Sequence, residues 1–212
     1  MPVSTAISAQ GSTFSIEGTP GAAVTITAIT KAVGAVVTGT HSMAIGDVFE
    51  FGVVTGMPEI LGLLGIVTAI STTVSFTVNI DSSAYAAAGT SGTGNPKVWT
   101  KVLNVKDYSG FDGAASELDK TNFDSGAMEY VAGLQDFGQF SVNIDVDNTD
   151  AGQTALRTAK TAASTKAFKV ALPNGKLRVF KGFVKKFSEQ GGVNQIVKAS
   201  VDVRITGVVN FG

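Results

Sequence analysis

The residues that could carry enzymatic chemistry are few and poorly placed. The 212-residue chain has one histidine, His41, and no cysteine, so neither a histidine-based triad nor a thiolate or zinc site can be assembled. His41 lies in a Gly/Thr/Ser-rich segment, where we expect an ordinary surface residue. The acidic run Asp145–Asp150 has some calcium-loop spacing but lacks the glycine at the sixth position and the glutamate at the twelfth. The sequence therefore predicts no enzyme, no metal site and no cofactor.

A second chemical possibility is a nucleic-acid patch, since Lys181, Lys185 and Lys186 are interleaved with phenylalanines. Strand alternation predicts that Lys185 and Lys186 point to opposite faces, which would split the patch. The formal net charge of the whole chain is −1, so there is no global basic field to hold DNA. We therefore expect no specific grip on nucleic acid.

Charge is instead sorted into two blocks along the second half of the chain. From Asp107 to Asp150 there are ten carboxylates against one lysine, a net charge of −9, whereas Arg157 to Arg204 carries eleven basic residues against two acidic ones, a net charge of +9. Complementary potentials of this kind steer and register association between proteins. The blocks fit a surface that docks onto a copy of the same chain, although pairing within one subunit explains them equally well.

The first hundred residues are poor in charge and predict a small β module. Asp47–Val53 and the alternation over Val74–Ile80 indicate strands, and the apolar run Ile60–Ile70 is predicted to be buried strand with turns. The segment Gly89–Pro96 is rich in Gly, Ser and Thr and is predicted to be a loop or linker at a boundary near residue 100.

The second region has strong strand periodicity and one helical segment. Ser141–Asp147 and Val197–Thr206 alternate as half-buried strands. The turn residues Pro173–Gly175 predict a hairpin, as does the pair Gly191 and Gly192. An Ala-rich stretch from Asp150 to about Ser164 predicts one helix lying against a sheet.

Between these elements, Ser109–Ala127 shows little periodicity and is predicted to be a structureless loop. Loops of such length in a compact domain are unusual and tend to be functional. At the N-terminus, Met1–Thr5 has neither a basic nor an apolar signal region, and the run Ile60–Ile70 is too short to span a bilayer. We expect a chain that stays in the cytoplasm where it is made, with no membrane partner.

From about Val102 to Val209 the order of motifs resembles the tail tube protein (major tail protein) family of long-tailed, non-contractile phages. The motifs that carry the resemblance are the acidic Glu117–Asp119 and Phe123–Ser125, the segment Tyr130–Gly138 leading into the strand Phe140–Val146, the helix with Thr154–Arg157, the strands at Phe168–Leu172 and Phe180–Phe183, and the closing Val201–Gly207. Gly11–Ile16 and Val24–Ile29 are similar to the first strands of the family. Residues 31–99 would then be an insertion, and they resemble a small β module of phage structural proteins through Gly46–Val48, Gly56–Ile60 and Asp81–Tyr85.

The resemblance implies a mainly β fold, a β-sandwich or barrel flanked by one α-helix, built from residues 1–30 and 100–212, with the module 31–99 on the outside of a tube. Six subunits would close into a ring, and rings would stack into a tube that conducts DNA during ejection without binding it specifically. The further partners implied are tape-measure and tail terminator or tip proteins. The location implied is the virion tail, after assembly in the host cytoplasm.

In the family the acidic loop reaches the next ring. The candidate inter-ring residues are Phe111, Glu117, Leu118, Asp119, Phe123, Asp124 and Tyr130. The candidate basic residues between subunits are Arg157, Lys181, Lys185 and Lys186. An alternative for the loop is that its aromatic residues pack on their own subunit.

A competing function is a virion-surface module that binds carbohydrate or a receptor. Such sites favour exposed aromatic residues on loops. The insertion offers only Tyr85, His41 and Trp99, so the sequence favours the tail tube.

Overall fold

The computed structural model describes residues 6–212, and the targeting prediction for Met1–Thr5 lies outside this part of the chain. The described chain is mainly β, as predicted, and α1 is the one α-helix in it. In chain order the elements are β1 Thr13–Glu17, β2 Val24–Ile26, β3 Ala28–Ile29, β4 Val36–Thr38, β5 Val48–Thr55, β6 Leu64–Ser71, β7 Ser75–Val78, β8 Ser91–Pro96, β9 Trp99–Val102, β10 Val105–Gly110, β11 Ala115–Asp119, β12 Tyr130–Gln135, β13 Gln139–Asp145, α1 Ala151–Thr161, β14 Lys166–Ala171, β15 Leu177–Gln190, β16 Lys198–Ile205 and β17 Asn210–Phe211. No helix within residues 6–212 has the length and apolar character needed to cross a bilayer.

The chain divides into two compact units. The first contains the residues up to Val102 together with Ala167–Phe180 and Asn210–Gly212. The second contains Leu103–Lys166 and Lys181–Val209. Strand β15 therefore supplies its first four residues to one unit and the rest to the other.

Most of the first unit is a closed β-barrel. Its sheet has the strand order β2-β8-β5-β6-β7-β4-β3. β2 and β3 are separated by Thr27 alone, whose backbone N–H donates to the Thr38 carbonyl at 2.8 Å. The same chain segment, residues 24–29, thus lies at both ends of the sheet and closes it, which leaves no open edge. Val24–Ile29, assigned from the sequence to the first strands of the core, hydrogen-bonds here to β8 and β4.

The barrel interior is filled by large apolar side chains that alternate along its strands. Phe49 packs edge-on against Phe51 and Phe76, with ring centroids 5.0 and 5.2 Å apart. All three rings are fully buried. Such edge-to-face contacts add to the burial of aromatic area. The predicted strands at Asp47–Val53 and Val74–Ile80 are confirmed as β5 and β7.

The segment Gly89–Pro96 was predicted to be a loop or linker, but it contains strand β8. A Cβ on Gly94 would collide with the Phe49 ring, and one on Gly92 would lie 2.6 Å from the Val53 carbonyl oxygen. The glycines let β8 approach β5 closely at a bulge between Phe51 and Val54. The glycine-rich composition of this strand therefore reflects the lack of space for side chains next to β5, and not a flexible loop.

The surface position predicted for His41 is wrong. The side chain is buried, its ring lies edge-on to Phe76 at 4.9 Å, and its Nδ1 accepts a hydrogen bond from the Met43 N–H at 3.2 Å. His41 is therefore part of the barrel packing.

A buried ion triad lies where the chain enters and leaves the barrel. The Lys97 ammonium contacts the Glu17 carboxylate at 2.8 Å and the Glu50 carboxylate at 2.5 Å, and only 7% of its side chain is exposed. Glu17 also accepts a hydrogen bond from the Ala167 N–H at 3.1 Å. Burial disfavours the charged form of Lys97, but the hydrogen bonds and charges of the two carboxylates outweigh it, so the pKa of Lys97 lies above its ordinary value.

An apolar cluster continues this contact within the first unit. Val48, Leu64 and Ile66 of the barrel pack with Ala167 of β14 and Val179 of β15. At the C-terminus, the Asn210 side-chain amide donates to the Leu64 carbonyl at 2.8 Å. The barrel is thus fastened to β1, β14, β15 and β17 by buried contacts.

The second unit contains a sheet in the order β10-β13-β16-β15, with α1 on its apolar face. Asp150, at the start of the predicted helix, caps it by accepting a hydrogen bond from the Gln153 N–H at 2.7 Å. Gln153 is fully buried and donates to the carbonyls of Leu103 and Asp145, which ties the helix to the ends of β10 and β13. The helix ends at Thr161, short of the predicted Ser164.

The predicted strands and hairpins of this region are confirmed, with two corrections. β15 has a bulge between Val184 and Lys186, so the predicted alternation fails beyond Val184. The bulge turns Phe187 to the face that bears α1 and places Lys186 opposite Asp202. Val197, predicted to be on the buried face of β16, is exposed and belongs to the loop before it.

We expect Lys97→Met to lower the free energy of unfolding by about 3 kcal/mol, because two carboxylates would lose their shared cation in a buried place. Chemical denaturation monitored by tryptophan fluorescence measures this, since the one tryptophan lies in β9. Lys101→Met, at an exposed position on β9, is the matched control and should unfold like the parent. Equal stability of the two variants would contradict the importance of the triad.

Candidate inter-subunit surface

The most unusual feature of the second unit is a two-stranded hairpin, residues 114–135, which we call the arm. β11 and β12 pair in register with Leu118 opposite Val131 and Asp119 opposite Tyr130. The prediction of a structureless loop over Ser109–Ala127 is therefore wrong, because β10 continues to Gly110 and β11 begins at Ala115. Side-chain turns order the tip: Asp119 accepts from the Thr121 N–H at 2.8 Å and Asn122 from the Asp124 N–H at 2.9 Å.

The arm exposes apolar side chains along its whole length. Every residue of β11 is exposed, as is every residue of β12 except Gly133. Phe123 at the tip is fully exposed, and Leu134 near the base is 89% exposed. The large apolar residues exposed on the arm are Leu118, Phe123, Met128, Tyr130, Val131 and Leu134. A lone two-stranded hairpin is marginally stable in water, and a contiguous apolar patch of this kind marks an interaction surface.

The charges of the arm are acidic and only partly engaged. Glu129 pairs with Lys120 at 3.2 Å. The hydroxyl and N–H of Thr121 hold the pKa of Asp119 below its ordinary value. The carboxylates of Glu117 and Asp124 contact no cation or hydrogen-bond donor in the described part of the chain. The arm therefore presents two exposed carboxylates, which have no partner in the described part of the chain, beside its apolar side chains.

The base of the arm is clamped by two aspartates. Asp136 accepts from the Gly138 N–H at 2.9 Å and pairs with Arg204 of β16 at 2.6 Å. The Gly138 N–H and the Arg204 guanidinium together hold the pKa of Asp136 below its usual value. On the other strand, Asp112 accepts from the Gln139 N–H at 2.9 Å. The clamp fixes the direction in which the arm leaves the sheet.

Phe111, predicted as an inter-ring anchor, lies before the arm and packs within its own subunit. Its ring centroid is 5.3 Å from that of Phe140, and its φ of 64° is in the left-handed region. Glu117, Leu118 and Asp119 lie on β11, Phe123 and Asp124 at the tip, and Tyr130 at the start of β12. Sequence reasoning missed Met128, Val131 and Leu134, although the strand formers from Tyr130 onward were a usable signal.

The basic candidates are distributed along the helix and β15. Arg157 pairs with Glu189 at 3.0 Å and lies over the Phe187 ring at 4.9 Å, so it is occupied within one chain. Lys181 is half-buried. Lys185 and Lys186 are exposed and make no ion pair with any residue in the described part of the chain.

Within residues 6–212 the structure gives little support to a metal site or to an aromatic binding site. No group of three or more His, Cys, Asp or Glu side chains there could hold a metal ion. Of the aromatic residues considered for a binding module, His41 is buried and Tyr85 packs against the barrel core. Trp99 is half-buried and lies beneath Lys169, whose ammonium is 5.0 Å from the ring centroid.

A mainly β subunit with one helix and a clamped, apolar, acidic arm belongs to the class of structural proteins that associate with further copies. The family model described as lambda phage tail tube protein, TTP, matches residues 83–212. This span is well over half of the 212 residues, and the chain belongs to that family. It is a structural subunit of a phage tail tube and a component of the virion tail.

Two solved structures have a distantly similar fold. A chain from the tail of an empty GTA particle, determined with C6 symmetry, has 16% sequence identity and a TM-score of 0.47, covering 54% of this chain and 86% of that one. A chain from the six-fold symmetrised baseplate of the anti-feeding prophage has 10% identity and a TM-score of 0.43, covering 54% of this chain and 84% of that one. Both likenesses are too weak to add to the family assignment. No curated protein matches the chain.

We expect Asp136→Asn to loosen the base of the arm, because the Arg204 guanidinium loses its charged partner. Since the ion pair is exposed, the unfolding midpoint should change little, while amide exchange at Gly138 should become several-fold faster. The pKa of Asp136 is lowered by folding, so in the parent the clamp holds above about pH 4 and weakens as the pH falls below that value.

Hydrogen exchange followed by mass spectrometry, corrected for intrinsic rates, measures both effects. Asp124→Asn at the arm tip is the control, because its carboxylate holds nothing in the described structure. Parent-like exchange at Gly138 in Asp136→Asn would show that the clamp does not hold the arm.

Proposed function

We propose that six subunits close into a ring, that rings stack through the arm into a tube, and that the tube conducts DNA during ejection. The role is structural and non-catalytic. The observation that carries the proposal is the arm itself, which exposes a row of apolar side chains on a chain of the tail tube family. An exposed apolar patch of this kind marks a site at which another molecule binds.

The energetics favour many arms acting together. Full burial of one large apolar side chain is worth about 1.5–3 kcal/mol, so the six on the arm are worth on the order of 10 kcal/mol. Association of two free proteins costs about 4–15 kcal/mol. One arm is therefore marginal, but in a ring all arms dock at once and the cost is shared, as in multivalent binding.

The same geometry suits a head-to-tail contact, in which one surface meets a different surface of the next copy and the assembly repeats. The acidic arm is one partner. The basic partner is a face of the positive block, and Lys185 and Lys186 are among its exposed members. DNA passes through the lumen without specific binding, since tight phosphate contacts would oppose sliding.

The module of residues 31–99, together with residues 24–29 that complete its barrel, lies on the outside of the tube, and the core is made of the remaining residues of 1–30 and of 100–212. Its many buried contacts with β14, β15 and β17 support a rigid attachment. Assembly takes place in the host cytoplasm, with a tape-measure protein and terminator or tip proteins as further partners. These assignments rest on the family resemblance.

We expect Leu118→Glu combined with Val131→Glu to abolish tubes while leaving the fold intact, because the two side chains face each other on one exposed side of the arm. Negative-stain microscopy of the purified protein should show hollow tubes for the parent and rings or single subunits for the variant. Val33→Glu, at an exposed apolar position outside the arm, should form normal tubes. Normal tubes from the arm variant would contradict stacking through the arm.

The outside position of the module is tested with a hexahistidine tag placed next to Gly46, around which there is open space. We expect tubes that bind nickel–gold particles along their whole length. The same tag next to Gly126, which is equally open but lies at the arm tip, should prevent stacking. Gold confined to the tube ends, or absent from intact tubes, would argue against an outer module.

A further inference from the structure

The sheet of the second unit has two different ends. The arm leaves from the end at which β10 finishes and β13 begins, next to Gly110 and Gln139. The loop of residues 191–197 joins β15 to β16 at the opposite end, where Lys198 pairs in register with both Gln190 and Asp145. β13 has seven residues, so the ends are about 20 Å apart.

The opposite end of the sheet also exposes apolar side chains. Val193 is 94% exposed and Ile196 is 64% exposed. Leu103 and Val197 beside them are nearly half exposed. We call residues 191–198, with Leu103 and Lys186, the receiving end.

The charges at the receiving end favour an acidic partner. A groove of about 670 Å³ is lined there by Ile196, Lys186 and Lys198, among others. Each carboxylate of this groove has a partner: Asp107 accepts from the Asn143 amide at 2.7 Å, and one oxygen of Asp145 pairs with Lys106 at 2.8 Å, while its other oxygen has no hydrogen-bond partner within residues 6–212. The ammonium groups of Lys186 and Lys198 have no hydrogen-bond or ion-pair partner in the described part of the chain.

We propose that the receiving end binds the arm of a second copy of this chain. The arm brings apolar side chains together with the exposed carboxylates of Glu117 and Asp124, and the receiving end offers apolar side chains together with two exposed ammonium groups. Because the two surfaces differ and lie at opposite ends of one sheet, a head-to-tail contact leaves one of each exposed and can repeat from copy to copy. This inference rests on the proposed stacking through the arm and names the surface that receives it.

Absence of cysteine from the native chain makes disulfide capture a clean test. Phe123→Cys and Val193→Cys are introduced into one chain, tubes are assembled and oxidised, and the products are separated on a non-reducing gel. A ladder of covalent multimers is expected, and each single variant should give none beyond a dimer. Phe123→Cys with Val33→Cys is the matched control and should give no ladder.

A second experiment does not depend on the exact position of the arm tip. Lys186→Glu with Lys198→Glu should raise the protein concentration needed for tube formation at least tenfold. Adding Glu117→Lys and Asp124→Lys to that variant should restore assembly, because the charges are then exchanged.

The outcomes separate the two proposals. Parent tubes with no ladder from Phe123→Cys with Val193→Cys, and no effect of the lysine variant, would overturn the receiving end while leaving stacking through the arm intact. A parent protein that forms neither rings nor tubes would overturn the proposed function itself.

Discussion

The structure depends on how the chain leaves the core strands for the barrel and returns about 80 residues later. Glu17 ends β1 before the barrel and Lys97 follows the barrel's last strand, and their side chains meet in a buried ion pair that also includes Glu50. Closing a long loop costs entropy, but the cost grows slowly with length, so a few well-placed contacts suffice. A buried ion pair contributes little net stability compared with an apolar replacement. Its contacts link the residue that ends β1, the residue that follows β8 and the start of β14.

The barrel and the arm differ in how they treat the edges and faces of their strands. The barrel removes its edges by bringing residues 24–29 back against both β8 and β4, and its aromatic side chains are buried inside. The arm leaves both faces of a two-stranded ribbon in water and is held only at its base by Asp112 and Asp136. Stability is therefore distributed unevenly. The arm, which is held only at its base, is the part that the proposed contact between copies would stabilise.

Much of the fold could be predicted from the sequence where one physical signal acted alone. The alternation of Val142 and Ile144, the cap at Asp150 and the turn at Pro173–Gly175 each predicted the observed element. Prediction failed where contacts between strands, which the sequence does not show, decided the structure. The glycines of β8 indicated a linker, because the sequence does not show that the Phe49 ring leaves no space for a side chain at Gly94. The bulge at Lys185 reversed the faces of β15, and a charged, Gly-rich segment concealed the arm. The inter-ring and basic candidate residues were proposed from resemblance, and their contacts with other copies remain predictions.

The two charge blocks can now be separated into parts with different physical roles. Asp136 of the acidic block pairs with Arg204 of the basic block inside one chain, at the base of the arm. Other charges of the two blocks lie at the two ends of one sheet, among them the carboxylates of the arm and Lys186 and Lys198 at the receiving end. An exposed ion pair is worth little by itself, whereas apolar burial is indifferent to direction. In the proposed contact between copies, the charges set which end meets which, and the apolar side chains supply the binding energy.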